Sequence, residues 1–338
     1  LGVLRTWSST RLAEQLIAIP VDENAVESVA GELSAGAGGL LLFGNHAPAD
    51  LAAAIARAAA GEPGRIAPLV MTDEEGGSVQ RMANLVGWLP SARTMATTLT
   101  PAQIRLQASQ LGSRLRANGV TMDLAPVLDL DSRAGPTDQD PIGDRSFSDA
   151  PATASAAALA FAAGLRQGGV IAVLKHFPGI GGGTGNSDLG PAVDPPWSGV
   201  AGRDLLPFLD AIRAGASAVM VSNVSVPGLT NLPASLSPAA ITKVLRGQLG
   251  FTGLVITDSL SAGAVQAAGY PVPRAAVAAV AAGADMVIFN SYAAATAALT
   301  AATAQALAGA VQAGTIPRAR LLDAAAHVLA AKHVSLCR

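Results

Sequence analysis

The sequence predicts an α/β fold, a TIM-like (β/α)8 barrel in a single domain over residues 1–338. Three observations carry this expectation. Eight short apolar runs alternate with helix-like stretches, the alternation that builds a parallel sheet with helices outside it. The runs are continuously apolar rather than alternating, which marks strands buried on both faces. No linker divides the chain, so one large barrel accounts for a length that otherwise suits two ordinary domains.

The apolar runs fall at 16–20, 40–43, 68–72, 120–124, 170–174, 218–222, 254–257 and 285–289. Helix patterns occupy 48–60, 101–118, 151–168, 204–215, 238–250, 274–283 and 294–314. Several begin at Pro-Ala or Ser-Pro and end at Gly, as start and stop chemistry requires. A doubly wound open sheet is the alternative, and the count of eight favours the barrel. Two long segments lack helical patterning: 129–149, rich in Asp, and 177–198, rich in Gly. Long loops of this kind inside compact domains are usually functional.

Half of the residues are hydrophobic but only 4% are aromatic, so a large core must come from small side chains packed closely. The formal charge of −2 predicts no bulk attraction to nucleic acid or an anionic membrane. No segment is expected to supply the ~18 uncharged apolar residues of a membrane span, and a monomer is expected. The chain opens on Leu1 without a methionine, so a removed leading segment is expected. That start suits an exported bacterial protein or lipoprotein, whereas the lone Cys337, read as a free thiol, equally suits the cytoplasm.

Barrel chemistry gathers at the C-terminal ends of strands. There the sequence places Asp73-Glu74-Glu75, Asp123-Leu124-Ala125-Pro126, Lys175-His176, Ser222-Asn223 and Asp258-Ser259. A rim of Asp73, Asp258, Lys175 and His176 with nearby arginines suits a polyhydroxylated ligand, because carboxylates accept hydroxyl hydrogens and Lys and Arg donate. A carboxylate held near cations also stays ionised as a nucleophile. No His-x-x-x-His or cysteine cluster calls for a metal. A Schiff-base aldolase acting through Lys175 is a lesser alternative.

Seven segments then follow in order: Asp73-Glu74-Glu75-Gly76-Gly77-Ser78-Val79-Gln80-Arg81, Leu124-Ala125-Pro126-Val127-Leu128-Asp129, Ile142-Gly143-Asp144-Arg145-Ser146-Phe147, Lys175-His176-Phe177-Pro178-Gly179, Asp204-Leu205-Leu206-Pro207-Phe208, Phe251-Thr252-Gly253-Leu254-Val255-Ile256-Thr257-Asp258-Ser259-Leu260-Ser261 and Ala282-Gly283-Ala284-Asp285-Met286. Together they resemble glycoside hydrolase family 3, in its single-domain β-N-acetylglucosaminidase branch, from about Ala13 to the C-terminus. The resemblance implies a retaining hydrolase acting on a terminal β-linked sugar, with no cofactor and a role in cell-wall recycling. It implies that Asp258 is the nucleophile and that Asp73, Arg81, Arg145, Lys175 and His176 grip the sugar hydroxyls.

In this branch the acid/base is a histidine on the glycine loop, oriented by an aspartate two residues earlier. The present chain carries Asn186-Ser187-Asp188 there, with Ile180, Ser78 and Asn223 as further departures. Three outcomes stay open: Asp188 replaces the histidine and Asn186 supports it by donating to its carboxylate; the acid is missing and only good leaving groups are released; or the protein binds sugars or peptidoglycan fragments without turnover. N-acetylglucosamine is the implied sugar, and glucose is the alternative, since Asn186, Asp188 and Asn223 are expected near the 2-substituent.

Overall fold

Each of the eight apolar runs becomes a strand in the computed structural model, which describes residues 2–334; Cys337 lies outside them. The strands are β1 (Ile17–Asp22), β2 (Gly39–Phe43), β3 (Leu69–Thr72), β4 (Met122–Asp123), β5 (Ile171–Phe177), β6 (Ala218–Val221), β7 (Leu254–Thr257) and β8 (Val287–Ile288). All pair in parallel, in the order β8-β1-β2-β3-β4-β5-β6-β7. A parallel bridge between Ile256 and Met286 joins the two ends and closes the barrel.

The continuous apolar runs follow from this closure. On β2, Leu40 and Leu42 pack outward against the helices while Leu41 points into the barrel, so neither face needs a polar residue. Four of the six methionines (Met71, Met122, Met220 and Met286) fill the interior, where an unbranched side chain adapts to an irregular space. Small residues bring the helices together as composition suggests. At the crossing of Pro101–Ala117 and Pro151–Gln167, a Cβ on Gly164 would sit 2.3 Å from the Arg105 carbonyl oxygen.

The predicted helices appear as Leu51–Ala58, Pro101–Ala117, Pro151–Gln167, Leu206–Arg213, Ala239–Gln248, Val272–Ala282 and Ala293–Gln312. Ala239–Gln248 is a π-helix. The helix Ser9–Gln15, capped by the Ser8 side chain, lacked an apolar stripe long enough to mark it. The helix Arg318–Ala331 carries His327 but ends before His333. Near its base, Asp285, Asp323 and His327 lie at ligand spacing, yet Asp285 is already paired with Arg246 and Arg320.

One sequence expectation is corrected. Ala293–Gln312 is uncharged, and it is long and apolar enough to cross a membrane. It buries Thr296, Thr300, Thr303, Ala304, Leu307, Ala308 and Ala310 within the fold instead, and packs against Val272–Ala282 and Ser9–Gln15. Its apolar character comes from alanine, which suits a helix lying closely on its neighbours.

The two long loops fold over the C-terminal mouth. Segment 177–198 pairs with itself between Thr184 and Val193, and Val193 bridges to Ser225 beyond β6. A small apolar cluster including Val127, Ile142, Ile180, Ala192 and Val226 joins both loops to the end of β6. This cluster fixes the walls of the site.

Candidate active site

A cavity of about 280 Å3 opens at the C-terminal mouth of the barrel, near the lower end of the ~300–1,000 Å3 of ligand pockets. Eight of the residues singled out from sequence line it: Asp73, Arg81, Arg145, Lys175, His176, Asn186, Asp188 and Asp258. They come from the ends of three strands, β3, β5 and β7, and from both long loops.

One wall is an ion-pair cluster. The register of β5 against β6 shifts between Leu174 and Phe177, and Lys175 and His176 both reach the cavity. Lys175 Nζ lies 2.7 Å from Asp73 Oδ1 and 2.6 Å from Glu75 Oε1. Arg145 Nε and Nη2 each donate to Glu75 at 2.8 Å, a bidentate pair, and Arg145 Nη1 donates to the Pro141 carbonyl at 2.7 Å. Arg81 sits farther out, 3.9 Å from Asp73 Oδ2, with its guanidinium over the Phe43 ring.

Charge balance holds Glu75 and Lys175 ionised. Burial alone would push the Glu75 carboxyl up, but Arg145 and Lys175 outweigh it and hold it well below the carboxylate range. Burial likewise opposes the Lys175 ammonium, and Asp73 and Glu75 reverse that and raise its pKa. Lysine has three donors and its two carboxylate partners take two, so one remains for a hydroxyl.

The second wall is His176. Its ring Nδ1 is 2.6 Å from Asp129 Oδ2, and Asp129 Oδ1 accepts the backbone N–H of Ile180 at 2.8 Å. Asp129 is fully buried.

Asp258 and the glycine loop complete the enclosure. Asp258 directly follows β7, its N–H donates to the Val221 carbonyl at 2.8 Å, and its Oδ1 accepts the Ser259 N–H at 2.7 Å. The loop tip is tied to the same connection: Gly263 and Ala264 N–H groups donate to the carbonyls of Asp188 and Ser187, both at 2.9 Å. A Cβ on Gly263 would lie 2.5 Å from the Leu189 carbonyl carbon, so only glycine permits this approach. Asp188 lines the cavity and reaches solvent at its mouth. Its surroundings still raise its pKa, through burial first and the Asp258 charge second.

Residues 13–331 match the model of the glycosyl hydrolase family 3 N terminal domain. The chain belongs to glycosyl hydrolase family 3. Among family members, beta-hexosaminidase LpqI of Mycobacterium tuberculosis is 43% identical over 227 residues, which are 65% of this chain and 58% of LpqI. The match therefore spans less than two thirds of that relative's length. The beta-hexosaminidase of Stenotrophomonas maltophilia R551-3 is 38% identical over 248 residues, 71% of this chain and 70% of that protein. The solved structure of M. tuberculosis LpqI superposes with a TM-score of 0.88 at 35% identity, covering 99% of this chain and 96% of that one. The beta-N-acetylhexosaminidase of Beutenbergia cavernae gives 0.84 at 32% identity, covering 97% and 99%.

Two family 3 departures take on physical meaning. Asn186 Oδ1 accepts the backbone N–H of Asp188 at 3.0 Å. Among the described residues no hydrogen bond runs from its amide to the Asp188 carboxylate, so the expected support of Asp188 gives way to a turn inside the loop. Asn223, expected near a sugar 2-substituent, lies outside the cavity. Its Nδ2 donates to the Ser259 carbonyl at 2.7 Å and its Oδ1 accepts from Ser235 Oγ at 2.6 Å. It braces the segment beside Asp258 from behind.

Sequence reasoning did not assign Glu75 or Asp129 a role, although both stand inside family 3 motifs. Glu75 is the carboxylate that joins Lys175 to Arg145, and Asp129 aims His176. The signal for Glu75 was an acid at a strand end with a cation elsewhere on the rim, and for Asp129 an acid opening the long Asp-rich loop.

Proposed function

We propose that this protein is an exo-acting, retaining glycoside hydrolase that removes a terminal β-linked N-acetylglucosamine. The observation that carries the reading is that Asp258 and Asp188 line one small cavity with the Asp73–Lys175–Glu75–Arg145 cluster. In this reading the cluster, His176 and Arg81 hold the sugar hydroxyls. Asp258 attacks the anomeric carbon while Asp188 gives a proton to the leaving oxygen. Asp188 then takes a proton from the water that releases the sugar. The raised Asp188 pKa supports its role as acid, because a protonated carboxyl is needed at the start of the cycle.

A second reading is favoured by the exposure of Asp188 and by Asn186 bonding to backbone instead of to that carboxyl. With such an acid, turnover depends on a good leaving group. A side-by-side screen of nitrophenyl β-glycosides against the matching unactivated glycosides separates the two and sets glucosaminide against glucoside. A 2-fluoro glycoside should label Asp258; labelling elsewhere removes Asp258 from the nucleophile role.

A further inference from the structure

A second cavity, about 560 Å3, opens beside the first and shares Phe43 and Asn290 with it. It lies where β1 and β8 end, above the start of the helix Ala293–Gln312. The residue dividing the two is tied to the chemistry: the Asn290 N–H donates to Ser261 Oγ at 2.8 Å, and Ser261 Oγ lies 2.9 Å from Ser259 Oγ, next to Asp258. Tyr292 stands in the wall of this groove with 89% of its surface exposed. A ring left so free of its own fold offers a flat apolar face, and an amphipathic aromatic of this kind binds partners at little entropic cost.

The two cavities differ in their cations. The first sets Arg81, Arg145 and Lys175 among the carboxylates of Asp73, Glu75, Asp188 and Asp258. The groove contains Asp22 and Glu32 and no lysine or arginine. An uncharged pyranose can lay its apolar face on Tyr292, whereas an anionic substituent meets two like charges and no counterion.

We propose that this groove binds the sugar on the leaving side of the bond, and that it selects an uncharged sugar over an anionic one, with Tyr292 as the specificity-determining contact. The proposal rests on the glycosidase reading and adds to it the class of leaving group. A terminal sugar held in the first cavity places its neighbour across Asn290 and against Tyr292.

The test compares kcat/KM for wild type and Tyr292→Ala on three N-acetylglucosaminides that differ only beyond the anomeric carbon. These are the β-fluoride, which leaves the groove empty, N,N′-diacetylchitobiose, and the β-linked disaccharide with N-acetylmuramic acid. Wild type should prefer chitobiose to the muramic disaccharide, and Asp22→Asn should narrow that gap. Tyr292→Ala should lose roughly 3- to 10-fold on chitobiose, the worth of one aromatic contact, and nothing on the fluoride. Equal loss on both, loss on neither, or a wild-type preference for the muramic disaccharide overturns the proposal. If wild type turns over none of the three, the glycosidase reading has failed, and calorimetry then decides the groove. Tighter binding of chitobiose than of N-acetylglucosamine, lost in Tyr292→Ala, sustains it; equal affinity overturns it.

Discussion

Asp129 holds His176 at two points: its Oδ2 lies 2.6 Å from the ring Nδ1, and its Oδ1 accepts the His176 backbone N–H at 3.3 Å. With Nδ1 engaged by that carboxylate, Nε2 is the ring nitrogen left for the cavity. The same Oδ1 anchors Ile180 at the start of the glycine loop. One buried side chain therefore aims a cavity-facing imidazole and roots the loop beside it.

Asp129→Asn tests this positioning role. The amide keeps the size but loses the charge, and hydrogen bonds to charged groups are worth about 1.5–3 kcal/mol. We expect kcat/KM on an activated N-acetylglucosaminide to fall on the order of tenfold, mostly through KM, with the folded state retained by circular dichroism. An unchanged KM would mean that the pair is structural only.

Asp188→Ala separates an acid from a bystander. General acid help is worth ~10²–10⁴-fold; the variant should lose about that on unactivated glycosides and far less on dinitrophenyl glycosides. Because burial and Asp258 push the Asp188 pKa up, the wild-type kcat/KM should fall on the alkaline side at a pH above the ordinary Asp range, and the variant should lack that limb. Equal slowing of both substrate classes, with the limb kept, removes Asp188 from the role.

The barrel was legible because burial on both faces leaves a plain trace, a continuous apolar run such as Leu40–Leu41–Leu42. The rim was legible because charged residues sit at strand ends where a core strand has no use for them, as at Asp73, Lys175 and Asp258. What escaped was pairing. Nothing local says that Glu75 bridges Lys175 and Arg145, residues 100 and 70 positions away (175 − 75 and 145 − 75), or that Asn223 faces Ser259 and not the cavity. Those contacts are set by barrel closure and loop docking. The exposed face of Ala293–Gln312 escaped for a related reason: alanine reads as apolar wherever it lies.

Glu75→Gln probes the cluster itself. It leaves Lys175 and Arg145 with less counter-charge in a buried place, and breaking a buried pair costs about 3–5 kcal/mol. Urea melts at neutral pH should show a loss of that order. The Glu75 pKa is depressed in the folded state, so its stabilisation is present above the ordinary Glu value and is lost as pH falls through the lower folded value. The variant should therefore show a weaker acid-side decline than wild type, and identical declines would show that Glu75 is not ionised in the cluster.

Glu74 gives the opposite sign. Burial raises its carboxyl from 4.5 to about 7, against the hydrogen bond it accepts from the Met82 N–H at 2.5 Å. Its second oxygen, Oε2, has no partner among the described residues. Between those two values the folded state holds a proton that the unfolded chain releases. Stability is therefore highest below the unfolded value and declines as pH rises toward 7. A shift of that size corresponds to about 3 kcal/mol. Asp123, which accepts the Glu74 N–H at 2.9 Å and is likewise pushed up by burial, contributes with the same sign in wild type and variant. Glu74→Gln should thus lose roughly 2–3 kcal/mol less than wild type between pH 5 and pH 8 in paired urea titrations, from the same linkage. Parallel stability curves for the two proteins would mean that Glu74 is ionised in the folded state and that its buried oxygen is satisfied by solvent.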